Sequence, residues 1–272
     1  GKKFKPLAIL FSSAGIIGCL PLFQANQLTQ FIRESILIPI DFFTSELFWG
    51  NFIIGIFVAT PVSFVILGGI KRIGLIAGKI VPFMVVLYLS LGLLIIIKNL
   101  WDVPSIFKLI LQDAFTGEAV VGGLIGEVIR QGIRRAAFSN EAGLGTEVLA
   151  HGAAKTREPV REGLVAMLGP FIDTILVCSV TAIVILLSGH WKDDLNGVSM
   201  TAKAFSSELG IIGTVALSIC IITFSITTMF GQSYYGAKCT GYLFGSEKKE
   251  IYNYFYIAST IIGATVSISF VI

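Results

Sequence analysis

The sequence predicts an all-α membrane protein, and three observations carry that expectation. Apolar residues make up 54% of the 272 and charged residues 14%, where an ordinary soluble domain carries about a quarter charged; mean hydropathy is +0.85. Apolar runs long enough for the ~20 residues that cross a hydrocarbon core recur along the chain. One polar, glycine-bearing run, Phe138-Ser139-Asn140-Glu141-Ala142-Gly143-Leu144-Gly145, interrupts an otherwise apolar helical stretch. An interruption at membrane depth frees backbone groups, which is tolerated only where they line a cavity or meet a ligand.

In chain order the expected spans are Pro6–Phe31, Leu47–Gly69, Val81–Ile97, a broken segment from Ala119 to Ala150, Gly163–Ser188, Leu209–Tyr235 and Ile251–Ile272, seven in all. Ile70–Lys79 is short and amphipathic and reads as an interfacial connector. Ile106–Phe115 is similar, with Lys108 and Asp113 set against Ile106, Phe107, Leu109, Ile110 and Leu111. Within the broken segment a helix from about Gly122 to Ala137 stops at the polar run, and a shorter piece resumes through Thr146–His151. The 21 Phe and 29 Gly suit membrane helices. No secretory leader is expected, because the apolar run after Gly1-Lys2-Lys3-Phe4-Lys5 is too long and no small-residue cleavage site follows. A start without Met and an end inside the apolar run Ser267–Ile272 are what a single transmembrane domain within a longer protein would give.

Lys and Arg order the spans. One side collects Lys2, Lys3, Lys5, Lys71, Arg72, Lys79, Arg134, Arg135, Lys155, Arg157, Arg161, Lys238, Lys248 and Lys249; the other has Arg33, Lys98, Lys108, Lys192 and Lys203. Fourteen against five places the first residues on the cytoplasmic side of a plasma (inner) membrane. The alternation holds only if the broken segment crosses the membrane once. A net charge of +3 gives no footprint for nucleic acid. Cys19, Cys178, Cys220 and Cys239 lie in or beside apolar runs without a Cys-x-x-Cys pair, so no disulfide or metal framework is implied.

Three constellations could carry chemistry. At the break, Ser139, Asn140 and Glu141 offer a hydroxyl, an amide and a carboxylate, and Gly143 and Gly145 allow unusual backbone angles. A helix ending there presents carbonyls to a cation, and one starting there presents N–H groups to a carboxylate; a plain helix end at the membrane surface would use the same residues. Gln24 and Asn26 are amides near the exit of the first span, while Glu127 and Asp173 are ionisable groups inside apolar sequence. Glu127 has Arg130 one turn away, and Asp173 admits a structural pair with a helix end or Arg134. In Thr223–Gly236, Thr228 and Gln232 share a helix face and Ser225 continues the row. Such hydroxyls suit sodium, and equally suit hydrogen bonds between helices. His151 and His190 lack a His or Cys partner at metal-ligand spacing, and neither a phosphate-binding loop nor a nucleophile elbow is present, so no enzyme is expected.

At these residues the chain resembles the alanine or glycine:cation symporter family, sodium-coupled importers of small amino acids. The likeness runs from Arg134 through Phe138-Ser139-Asn140-Glu141-Ala142-Gly143-Leu144-Gly145, and on through Ala150–Thr156 and Pro159–Leu168. Phe171–Thr174, Leu67–Ile73 and Ser233-Tyr234-Tyr235-Gly236 carry it too. The resemblance implies a leucine-transporter-like bundle of two inverted five-helix repeats, of which this chain would cover helices three to nine, with the break on helix six. It implies substrate contacts on Gln24, Phe138, Ser139, Asn140 and Thr228, and sodium ligands on Thr227 and Thr228. It also implies sodium as coupling ion, no organic cofactor, and scaffold roles for Glu141 and Asp173. The family pattern has Trp where this chain has Gln232, a shorter amide that opens the pocket and adds a hydrogen-bonding group; a larger or more polar substrate, such as glutamine, is implied. The expectation is a symporter working by alternating access, with a channel-like pore or a non-transporting remnant as the alternative.

Overall fold

The structure, a computed structural model, describes residues 2–38, 47–115, 129–130, 132–133, 141, 143–193, 195 and 197–267. Every regular element among them is helical, as required where lipid offers backbone groups no hydrogen-bond partner. We number the helices α1 (Lys5–Gly18), α2 (Leu22–Ile32), α3 (Leu47–Ile66), α4 (Gly69–Lys98) and α5 (Val103–Phe115). They continue with α6 (Glu147–His151), α7 (Pro159–Ser188), α8 (Val198–Phe244) and α9 (Lys249–Thr265). Five stretches of the described residues are long and apolar enough to span a membrane: Lys5–Leu37, Phe48–Ile66, α4, α7 and α8. The chain is a multi-pass membrane protein.

Three expectations change in detail. The first span is two helices: α1 ends at Gly18 and α2 begins after Pro21. Pro21 has no N–H to donate and biases Leu20 away from helical angles, which explains the break. The segment Ile70–Lys79 is no separate connector, because it forms the first turns of the 30-residue α4. At 1.5 Å per residue α4 is about 45 Å long, beyond the ~30 Å hydrocarbon core, so one helix has length for both an interfacial start and a crossing. The expected start of the sixth span at Leu209 adjoins a kink at Gly210 (φ 60°, ψ −142°) inside α8, a conformation open to glycine alone. Residues 119–128 and 134–140, with most of the broken segment, lie outside the described residues. For the seventh expected span, α9 covers Lys249–Thr265.

The chain forms two compact units. The first comprises Gly1–Met84 and Ile219–Ile272. Its centre is α9, which packs on α3 and α2. The residues α9 buries, Tyr252, Tyr256, Ser259, Thr260, Gly263 and Ala264, recur every three to four positions and so make one helix face. Small residues let the backbones approach: a Cβ on Gly263 would meet Leu22 Cα at 2.8 Å, and one on Gly55 would meet Ala264 Cβ at 2.8 Å. Leu28, Val58, Val62, Ile66, Met229 and Tyr256 belong to the buried core around this contact.

The second unit is Val85–Ser218. Here Tyr88 Oη lies 2.5 Å from Thr181 Oγ1, tying α4 to α7. Lys98 Nζ donates to Glu208 O (2.9 Å) and pairs with its carboxylate (3.2 Å), while Asn99 Nδ2 donates to that carboxylate at 3.0 Å. The helix Pro159–Ser188 widens to π geometry over Phe171–Cys178, directly after Pro170, with Asp173 half-buried inside the widened stretch.

Candidate functional site

The first unit holds four of the residues singled out in the sequence. Gln24 lies in the first turn of α2, because the break at Cys19–Pro21 restarts the helix at Leu22. Thr227, Thr228 and Gln232 lie on α8, where Met229 and Phe230 join Leu28 of α2 in one core. The α8 backbone is pinned at this level by the fully buried Tyr256, whose hydroxyl donates to Met229 O at 2.8 Å. Phe138, Ser139 and Asn140 lie outside the described residues.

Two of the four carry an unusual feature. Gln24 Oε1 and Gln232 Oε1 are buried acceptors with no hydrogen-bond partner. A buried carbonyl left unpaired costs about 1–3 kcal/mol, so two amides of that kind stand out against the nearly complete pairing usual in folded proteins. The threonines differ from each other. The Thr227 hydroxyl donates to Thr223 O (2.8 Å) and Phe224 O (3.1 Å) of its own helix. That commits its proton to the backbone and leaves the oxygen lone pairs as acceptors. Thr228, half-buried, makes no such bond among the described residues.

Around the break the described residues show a built turn. Glu141 has φ 58°, the one non-glycine in the left-handed region among the described residues, and Gly145 has φ 76°. Gly143, which the sequence offered equally, is not among the positive-φ residues. Glu141 O accepts from Leu144 N (3.0 Å) and Gly145 N (2.9 Å). Its carboxylate accepts from the Thr146 hydroxyl at 3.3 Å. A side chain spent on its own turn fits the scaffold role that the resemblance implied.

Sequence reading missed two arrangements. His151 stands between two carboxylates, 2.7 Å from Glu162 Oε1 and 3.4 Å from Glu147 Oε1, joining α6 to α7. Glu147 and His151 are four apart on one helix, which a search for His and Cys partners did not weigh. Asn26 is an architectural amide: its Nδ2 donates to Val266 O (2.7 Å) and Gly263 O (3.3 Å), capping the end of α9.

Comparison with known proteins agrees with this reading of the helices. A model of the sodium:alanine symporter family matches residues 1–272. The sodium/alanine symporter AgcS of Methanococcus maripaludis is 38% identical over 97% of this chain and 58% of its own length. An uncharacterized transporter of Haemophilus influenzae gives the same identity and coverage. The probable sodium/glutamine symporter GlnT of Bacillus subtilis is 35% identical over 78% of this chain and 44% of its own length. The chain therefore spans about half the length of the curated relatives it matches. With a match along its whole extent, and apolar helices to accompany it, this chain belongs to the sodium:alanine symporter family.

Proposed function

We propose that residues 1–272 lie within the single transmembrane domain of a sodium-coupled symporter that carries a small neutral amino acid inward by alternating access. The observation that carries this reading is the pair of orphaned amide oxygens on Gln24 and Gln232, in a chain of this family. Both accept hydrogen bonds, and an amino acid supplies donors in its ammonium group and in any side-chain amide. Binding removes a cost that the empty site carries, which is how a ligand favours one conformation over another.

In this reading Phe138, Ser139 and Asn140 supply the broken-helix half of the substrate site, and Thr228 contributes from α8. Thr227 and Thr228 face sodium, a cation that takes hard oxygen ligands at unwound or hydroxyl-bearing helices. Thr227 suits that role because its proton is already held by the backbone. The enclosing fold is a pair of inverted repeats, with the first residues cytoplasmic and the protein in the plasma membrane. Gln232 in place of Trp sets the substrate class: a side chain larger or more polar than that of alanine, with glutamine the leading candidate. The name of the relative GlnT, a probable sodium/glutamine symporter, supports that range within the family.

The test is uptake by the intact protein in liposomes. Labelled alanine, glycine and glutamine should enter saturably down a sodium gradient, and entry should stop when choline replaces sodium. Ion-independent, non-saturable flux overturns the reading in favour of a pore, and absence of flux in favour of a remnant. Selection of glycine and alanine over glutamine removes the substrate assignment alone.

A further inference from the structure

A cavity of about 300 Å³, lined by α2, α3 and the end of α9, lies within the first unit. It is distinct in its lining from Gln24, Thr227, Thr228 and Gln232. From α2 it takes Asn26, Thr29, Gln30 and Arg33, a polar row at positions i, i+3, i+4 and i+7 and therefore one helix face. Asn51 of α3 and residues 264–267 complete it. Polar side chains grouped this way within a membrane span mark a ligand site by default, because lipid offers them nothing.

One wall donates. Arg33 Nη1 donates to Asn51 Oδ1 at 3.0 Å. A guanidinium has no acceptor, so the Asn51 atom facing it must be the oxygen, and the amide nitrogen remains an unused donor on the lining. Glu34 lies 3.5 Å from Arg33 Nη2, too far to saturate a group with five N–H donors. Thr29 is 1% exposed, and its hydroxyl has no partner. Helical threonines elsewhere in this chain donate to the carbonyl four residues back, as Thr60, Thr181, Thr223 and Thr240 do; Thr29 does not. The opposite wall accepts. The end of α9 presents its last carbonyls and the negative end of the helix dipole. Asn26 occupies those of Gly263 and Val266 and leaves the ones between them.

We propose that this cavity is a second amino-acid site, separate from the transport site. The ligand carboxylate sits against Arg33, Asn51 and Thr29, and its ammonium faces the carbonyl end of α9. A zwitterion with opposite charges on adjacent atoms matches a donor wall facing an acceptor wall. The volume lies at the small end of ligand pockets and suits an amino acid better than a lone halide.

The test is equilibrium binding of labelled alanine to the intact protein without sodium, which isolates a site that uses none. Saturable binding is expected, displaced by unlabelled alanine but not by acetate, chloride or methylamine at equal concentration. Asn51→Asp keeps an acceptor for Arg33 while setting a negative charge against the ligand carboxylate, and should weaken this binding about tenfold or more. Thr29→Val, of the same shape, should weaken it too. Sodium-driven uptake should survive in both variants, which shows that they fold. Absence of sodium-free binding, binding unchanged in Asn51→Asp, or displacement by acetate alone overturns the proposal. Should uptake fail while Asn51-sensitive binding persists, the transport reading falls and this site stands.

Discussion

Gln232 is where a single residue decides most about what this chain handles. Its Oε1 is buried and unpartnered, so the position asks for a donor that alanine's methyl group cannot supply. Gln232→Trp should restore an apolar cap and shift selection toward alanine and glycine, lowering the relative kcat/KM for glutamine about tenfold or more. Competition uptake reads this directly, and unchanged selectivity would remove Gln232 from the pocket. Thr228 makes a second residue-scale case. Thr228→Val deletes the hydroxyl at constant shape, and the sodium concentration for half-maximal uptake should rise about tenfold. Thr228→Ser should bring it back. A rise in the substrate requirement alone would assign Thr228 to the amino acid rather than to the ion.

At the scale of elements, α9 shows what the sequence could reveal and what it could not. Hydropathy marks a span, because any helix in lipid must be apolar. It does not say which face turns inward, since lipid tails are as apolar as Leu and impose no alternation. The inward face is legible only in residues that lipid would not select, and Tyr252, Tyr256, Ser259, Thr260 and Gly263 of α9 are such residues. The break at Pro21 was open to the same reasoning but hid inside a continuous apolar run. The Gly143 expectation failed because two glycines two apart are equivalent in sequence, while the turn used Glu141 and Gly145. The orphaned oxygens of Gln24 and Gln232 depend on packing, and no pattern records them. Gly263 offers a test of the packing itself. A Cβ there meets the Leu22 backbone, Cα at 2.8 Å and O at 2.9 Å, and backbone cannot rotate away. Gly263→Val should therefore cost about 1–3 kcal/mol, the range for overpacked cores, seen as a lower thermal midpoint in detergent. Gly78→Val, where a Cβ meets nothing within 4 Å, should leave that midpoint unchanged.

For the whole molecule the open question is which way it faces, and α8 makes that decidable. After the kink at Gly210 the helix has no other non-helical residue through Phe244. That continuous stretch is about 50 Å long at 1.5 Å per residue, longer than the ~30 Å hydrocarbon core and too straight to double back within it. Residues before α8 and after it should thus lie on opposite sides of the membrane. Lys192 precedes it and Lys248 follows it, and both are exposed. The excess of Lys and Arg puts Lys248 on the cytoplasmic side. Single cysteines at the two positions, Lys192→Cys and Lys248→Cys, in a background freed of Cys19, Cys178, Cys220 and Cys239, convert this into a labelling experiment. A membrane-impermeant maleimide added to intact cells should modify the first and spare the second, with the reverse in inside-out vesicles. Labelling of both from one side would mean that α8 does not cross. The reversed pattern would keep the crossing and invert the protein, placing the Arg33 end of α2 inside and turning inward uptake into export.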